Sequence, residues 1–364
     1  MDLDGIKGIL RTFAEVEARG VSPLYEHLAL QAASDDDVAG LLASARDGEV
    51  RATLLMATAH RLVQADPIHP LSRYYPSLGG FDGVDSETWP LFRSFLLERA
   101  DKARTLISSR YTQTNEVRRA ALLYPGVARA AREAGGKVSL LEVGCSAGLL
   151  LGLDRFAYRY QCDGGEQLTA GPAKAAVGLH CALDLAPGAV VPKLPKKLAV
   201  LDRAGLDRAP VDLSDEDELA WLEACVWADQ PDRIRLLRTA AAEQARHRPR
   251  LITGDGVDDL ASAAESLEGP LVVLTSHVLA YFPASRRSAF IAALAELASS
   301  RPVWWVSEEF YGAGLETVLP ERSDLAGADG LATLGVVRWE GGKAEAHALA
   351  RTAPHGQRMT WLPL

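Results

Sequence analysis

The chain has no uninterrupted apolar run near the ~20 residues that a membrane-crossing helix needs. Its four cysteines, Cys145, Cys162, Cys181 and Cys225, lie far apart and form no Cys-x-x-Cys pair. The eight histidines are scattered too, so neither a zinc site nor a disulfide framework organises the fold. Reduced thiols, no bound metal and a cytoplasmic location are expected. The opening Met1-Asp2-Leu3-Asp4-Gly5 is acidic where a secretory leader is basic, and no apolar segment follows it. Basic runs are equally scarce. Lys193 to Lys197 and Arg246 to Arg250 are short, and the formal net charge is −9, which disfavours nucleic acid as a partner. No membrane partner is expected either, and the oligomeric state stays open.

What is present suits a folded enzyme or binding protein. Hydrophobic residues make up 48% and charged residues 24% of 364, enough for a packed core in one large domain or two ordinary ones. Residues 1–135 read as a helical domain. Apolar residues recur at three- and four-residue spacing over Ile6–Ala18, Pro23–Ala33, Asp35–Ala45 and Val50–Val63. Ser34 before three aspartates marks a helix start. Asp66-Pro67-Ile68-His69-Pro70 breaks the pattern and opens a loop to Gly83, with helices resuming over Ser86–Ile107 and Asn115–Glu133.

Residues 136–364 change texture. Val138–Val143, Arg203–Asp207, Arg250–Thr253, Leu271–Thr275 and Pro302–Ser307 read as buried strands. Helical stretches stand between them, among them Glu216–Arg246, which Pro231 divides. That alternation predicts an α/β domain with a mainly parallel sheet. Asp163-Gly164-Gly165 between two strand-like runs predicts a hairpin, within an insertion of about 156–200. A second hairpin is expected around Gly341-Gly342.

The turn after Leu141-Glu142-Val143 is Gly144-Cys145-Ser146-Ala147-Gly148. Gly144 permits a tight exit from the strand, and small residues follow where a ligand would approach the backbone. A helix starting near Leu149 would aim free N–H groups at the turn. Glu142 is placed to accept from the loop or from a bound amino group. Asp207 and Asp255 each follow a strand, suiting a ribose and an adenine amine respectively; the plainer role for Asp255 is a helix cap. The glycine spacing of dinucleotide folds is incomplete, because Ser146 stands at the second glycine, and no P-loop exists.

The segment Leu-Glu-Val-Gly-Cys-Ser-Ala-Gly resembles the first motif of class I S-adenosylmethionine-dependent methyltransferases. The resemblance implies a Rossmann-like sheet over roughly 138–310 and S-adenosyl-L-methionine as cofactor. One departure stands out. Asp207 lies 63 residues beyond Gly144, where about 20 is usual. Asp163, 19 residues beyond it, is the rival ribose ligand, but it sits in the hairpin turn. The whole chain also resembles the actinobacterial family catalogued as domain of unknown function 2332. The carrying segments are His69-Pro70 with Tyr74-Tyr75-Pro76-Ser77, Gln113-Thr114-Asn115-Glu116, the glycine turn with Asp154-Arg155, Trp227-Ala228-Asp229-Gln230, and Pro354-His355-Gly356.

Ligands of open α/β sheets bind beyond the carboxyl ends of the strands. The expected cofactor set is Gln113, Asn115, Glu142, Gly144, Cys145, Ser146, Gly148, Asp207, Asp255, Gly256 and Ser276. His277 is the expected general base for methyl transfer to oxygen or nitrogen of a small molecule, with Glu308 and Glu309 beside it. His69, Tyr74, Tyr75 and Tyr281 are expected at the acceptor, the first three on a helical lid. His60, on an apolar helix face, reads as structural, and the charges around Asp229 as an ion-pair network. The competing readings are a sensor or scaffold with the same ligand, and a nicotinamide-dependent oxidoreductase.

Overall fold

The computed structural model describes every residue except Ala328 and Gly341. Residues 1–114 and 213–237 form one unit, and 115–212 with 238–364 a second. The boundary therefore falls before Asn115 rather than at 135, and a later segment returns to the helical unit.

In the helical unit, helices run over Leu3–Thr12, Pro23–Ala32, Asp36–Leu41, Ala52–Ala65, Thr88–Glu98, Ala100–Ser109 and Glu216–Ala224. The repeat predicted over Ile6–Ala18 changes pitch at Phe13, and Phe13–Ala18 is a π-helical turn. Asp35, not Ser34, caps the third helix, its Oδ1 accepting from Val38 N at 3.0 Å. The single helix expected over Ser86–Ile107 breaks at Arg99. Ile6, Leu10, Leu28, Leu55, Phe92 and Phe95 form the core together with Trp221 and Ala228 from the returning segment.

The second unit is built on one sheet. Its strands are β1 (Lys137–Val143), β2 (Ala157–Cys162), β3 (Gln167–Ala170), β4 (Gly178–Leu185), β5 (Ala199–Asp207), β6 (Arg250–Thr253), β7 (Leu271–Ser276), β8 (Val303–Glu309), β9 (Ala332–Glu340), β10 (Lys343–Thr352) and β11 (Arg358–Trp361). Among the described residues their order is β3-β2-β4-β11-β10-β9-β8-β7-β1-β5-β6. The five strands β6, β5, β1, β7 and β8 are mutually parallel, so their carboxyl ends share one edge. β1 and β8 are buried along almost their whole length, which matches their mainly apolar sequences, and the polar Ser139, Glu142, Ser307, Glu308 and Glu309 are buried with them. Antiparallel β9 and β10 follow β8; Gly341, in the turn predicted to join them, lies outside the described residues. Helices Arg119–Glu133, Leu260–Glu265 and Ala284–Leu297 belong to this unit, and Pro231–Ala245 links the two parts of the chain.

The inserted region is larger than a hairpin. β2 and β3 pair antiparallel as expected, but β2 also pairs with β4, and β4 with β11. The insertion thereby becomes the far flank of the sheet. Among the described residues no helix is long and apolar enough to cross a membrane.

Candidate functional site

β1 lies between β5 and β7, with Val143 opposite both Leu206 and Thr275. The glycine turn that follows is held on several sides. Gly144 N donates to Leu206 O at 2.8 Å and Gly148 N to Cys145 O at 2.6 Å. Ser146 N donates to Asp207 Oδ2 at 2.8 Å. Asn115 Nδ2 donates to Cys145 O at 2.9 Å, and Gln244 Nε2 to Ala147 O. Three turn amides thus already donate within the protein, a poor start for a pyrophosphate cradle.

The turn's glycines differ from the expected open approach. A Cβ on Gly144, at φ 75°, would meet Val278 Cγ2 at 2.4 Å, so the space above it holds a valine side chain. A Cβ on Gly256 would lie 2.7 Å from Val143 Cγ1. These positions are small so that strand-end loops can pack together. Nor does an α-helix begin at Leu149: residues Leu149–Arg155 form a 3-10 segment leading into β2. The expected α-helix, with its aligned first-turn amides, is replaced there by this tighter segment, in which Leu151 N donates back to Gly148 O at 3.1 Å.

Polar atoms without partners mark the turn instead. Glu142, Asn115 and Ser146 are 4%, 8% and 5% exposed. Glu142 Oε2, Asn115 Oδ1 and Ser146 Oγ have no hydrogen-bond partner. Burial, with the charge of Asp207 adding to it, pushes the Glu142 carboxyl well above the usual carboxylate range. Leaving such atoms unpaired costs about 1–3 kcal/mol each. Asn115 Oδ1 can only accept, and Glu142 accepts through both oxygens once ionised, so a positively charged donor is the group that complements them.

Asp207 ends β5 beside the turn, its Oδ1 accepting from Ala209 N at 2.9 Å. It holds the turn as well as facing it. Asp163 lies in the exposed β2–β3 turn, remote in the strand order. Asp255 is heavily engaged: Val257 N donates to its Oδ1 at 2.9 Å, Arg208 to its Oδ2 at 2.9 Å, and Arg286 contacts it as well. Those donors hold its carboxyl far below the ordinary range despite partial burial. Asp255 closes the turn before helix Leu260–Glu265, whose N-cap position is Asp259, so it is tied to the turn and to two arginines and is not the helix cap.

A second cluster follows β7 and β8. Glu308, fully buried, accepts from Ser276 Oγ at 2.8 Å and Thr352 Oγ1 at 2.9 Å, and its Oε1 lies 3.2 Å from His277 Nε2. The His277 ring meets Phe310 edge-on, centroids 5.2 Å apart. Glu309 Oε1 accepts from Val278 N at 3.0 Å, while Oε2 has no partner. Burial raises the Glu309 carboxyl to about 8. The buried Arg119 donates to Pro354 O at 2.8 Å, and its charge acts on Glu309 in the opposite sense. The sequence pattern offered no signal for Arg119 or Thr352, because both act through long-range contacts.

The remaining expected residues have other local surroundings. Gln113 belongs to the helical unit, where its backbone meets the Cys225 thiol. So do His69, Tyr74 and Tyr75. His69 Nδ1 accepts from Leu71 N at 3.1 Å, and Tyr74 donates to Asp85 at 2.7 Å. Tyr75 is fully buried, with its ring 5.5 Å from that of His60. Tyr74 and Tyr75 are anchors inside the helical core, and His69 is a half-buried residue that caps the turn after it. His60 is structural as expected, with Nε2 2.8 Å from Ser77 Oγ. Tyr281 is 65% exposed beyond β7. Asp154 pairs with Arg203 at 2.7 Å and not with its neighbour Arg155. Asp229 accepts from Ser22 Oγ at 2.6 Å, while within the expected ion-pair segment Asp232 pairs with Arg235 at 2.7 Å and Arg233 donates to Gln230.

The chain belongs to the family described as an uncharacterized protein conserved in bacteria (DUF2332), which matches residues 7–361. No curated protein and no solved structure matches it.

Proposed function

We propose that the sheet unit binds S-adenosyl-L-methionine beside the Gly144–Gly148 turn and transfers its methyl group to oxygen or nitrogen of a small-molecule acceptor. The supporting observation is the set of unpartnered buried atoms on Glu142, Asn115 and Ser146. An α-ammonium group fits them, donating to Asn115 Oδ1 and Glu142 and restoring the charge that burial suppresses on that carboxylate. The strand order β6-β5-β1-β7-β8, with β9 antiparallel beside β8, suits a class I methyltransferase sheet. Asp207 stands at the tip of the neighbouring strand for the ribose.

When bound, the cofactor supplies a methyl group on a positively charged sulfur. The protein's part is to orient the acceptor and take its proton. His277 is held by Glu308, which Ser276 and Thr352 fix in turn. Glu309 gives a second proton-holding group near neutral pH.

A second reading is ligand binding without methyl transfer, in a sensor or scaffold. It is favoured by Val278 over Gly144 and by the arginines that occupy Asp255. Calorimetric titration with S-adenosylmethionine, S-adenosylhomocysteine and NAD tests both. Binding of the adenosyl ligands but not NAD, weakened at least about tenfold in Glu142→Gln, is expected. Absence of binding by either adenosyl ligand would remove both readings. Retained affinity with lost turnover in His277→Ala separates catalysis from sensing.

A further inference from the structure

The helical unit holds a cavity that the proposed methyl transfer does not use. Its volume is about 420 Å³, within the range of small-molecule sites. Leu62, Ala65, Leu106 and the ring of Trp221 supply apolar wall, and Arg61, Lys102 and Arg110 supply positive charge. Helices Ala52–Ala65, Ala100–Ser109 and Glu216–Ala224 each contribute, so the cavity is set by rigid elements.

The charges at its rim are unequal. Arg61 pairs with Asp217 at 2.5 Å, and Arg110 pairs with Glu218 while lying over the Trp221 ring. The Trp221 indole N–H donates to Tyr111 O at 2.8 Å, so the ring is fixed in place. Asp101, which also lines the cavity, is fully exposed and pairs with Arg104 at 3.4 Å. Lys102 has no carboxylate partner among the described residues, and it is exposed at the lip. A cavity with an apolar wall and a charged rim, in which Lys102 is the cation without a carboxylate partner among the described residues, has defined complementarity.

We infer that this cavity binds an amphipathic monoanion, a carboxylate with a medium-length hydrocarbon body, with the tail against Leu62, Leu106 and Trp221 and the head at Lys102. Tail burial at about 25 cal/mol per Å² provides the affinity. The lysine and the flanking arginines provide the choice of sign.

Decanoate and decyltrimethylammonium, titrated calorimetrically into the full chain, distinguish the possibilities. Saturable binding of one decanoate is expected, with the cationic analogue binding at least about fivefold more weakly. Lys102→Glu should weaken decanoate about tenfold. Thr105→Trp, at an exposed position on the lip, should block it with the melting temperature preserved. No saturable binding below roughly 1 mM, equal binding of both amphiphiles, or indifference to both substitutions would overturn the inference. Because the assignment concerns only the helical unit, S-adenosylmethionine titration of the same variants reports separately on the sheet unit.

Discussion

Ser146 and His277 are the two non-glycine residues with left-handed backbone among the described residues, at φ 50° and 54°. They stand just beyond the ends of β1 and β7, two strands paired to each other. Such conformations cost of order 1–3 kcal/mol and persist where the surroundings enforce them. Here the enforcement is visible: Asp207 takes the Ser146 amide, and Glu308 O accepts from His277 N at 3.0 Å.

Replacing Ser146 with glycine should therefore relieve backbone strain of about 1–2 kcal/mol, offset by ~0.4–1 kcal/mol of extra chain entropy. Urea unfolding of Ser146→Gly is expected to match or slightly exceed wild-type stability. S-adenosylmethionine affinity should fall several-fold with the hydroxyl. A loss of more than about 1 kcal/mol would show that the hydroxyl, not the strain, dominates.

Glu309 makes stability fall as pH rises. Below its ordinary value of 4.5 both folded and unfolded chains hold the proton; between 4.5 and about 8 the unfolded chain releases it while the folded chain keeps it. Stability attributable to this group is thus greatest at low pH, declines across that window and levels off above it. Glu309→Gln retains an acceptor for Val278 N and removes the decline. The variant should gain roughly 2–4 kcal/mol relative to wild type at pH 8, and almost nothing at pH 4.5. Equal differences at both pH values would contradict the assignment.

Gly205 and Cys145 should be coupled. A Cβ on Gly205 would come within 2.5 Å of Cys145 Sγ, so Gly205→Ala forces two packed strand ends apart. A destabilisation of about 1–3 kcal/mol is expected. Cys145→Ala removes the sulfur and should recover part of it, which a double-mutant cycle by chemical unfolding reads directly.

Asp154 and Arg203 form a two-pronged pair at 2.7 and 3.2 Å, with side chains 13% and 11% exposed. Removing one partner strands the other charge, so Asp154→Ala should cost roughly 3 kcal/mol. Asp154→Leu with Arg203→Met should cost less than Asp154→Ala alone. Thermal melts of the three proteins decide it.

Much of the central sheet was legible because its strands are short, mainly apolar runs that end in turn residues, as in Val138–Val143 and Leu271–Thr275. The flank was harder. β4 alternates strictly, with Leu179, Cys181 and Leu183 buried, but its outward His180 and Asp184 mask the pattern unless period two is counted. β11 is four residues long and gains its identity from β4 and β10. At the glycine turn, Asn115 holds Cys145 O and Asp207 holds the Ser146 amide, contacts across 30 and 61 residues that no local pattern reveals. Tyr74 and Tyr75 are buried within the helical unit, and sequence spacing cannot distinguish a ring that lines a pocket from one that fills a core. The partners of Asp154 and Asp255, at positions 203, 208 and 286, lie too far along the chain for local pattern to expose.

The return of residues 213–237 to the helical unit has a consequence for biosynthesis. Trp221 and Ala228 belong to a hydrophobic core whose other members end at Ile107. A ribosome making ~5–20 residues per second needs on the order of ten seconds between the two contributions. During that interval the first-made helices lack part of their own interior, while β1 to β5 have already emerged. The helical unit must wait for its tryptophan, so excision at residue 114 should yield a fragment that exposes apolar surface and recruits chaperones rather than a free-standing module.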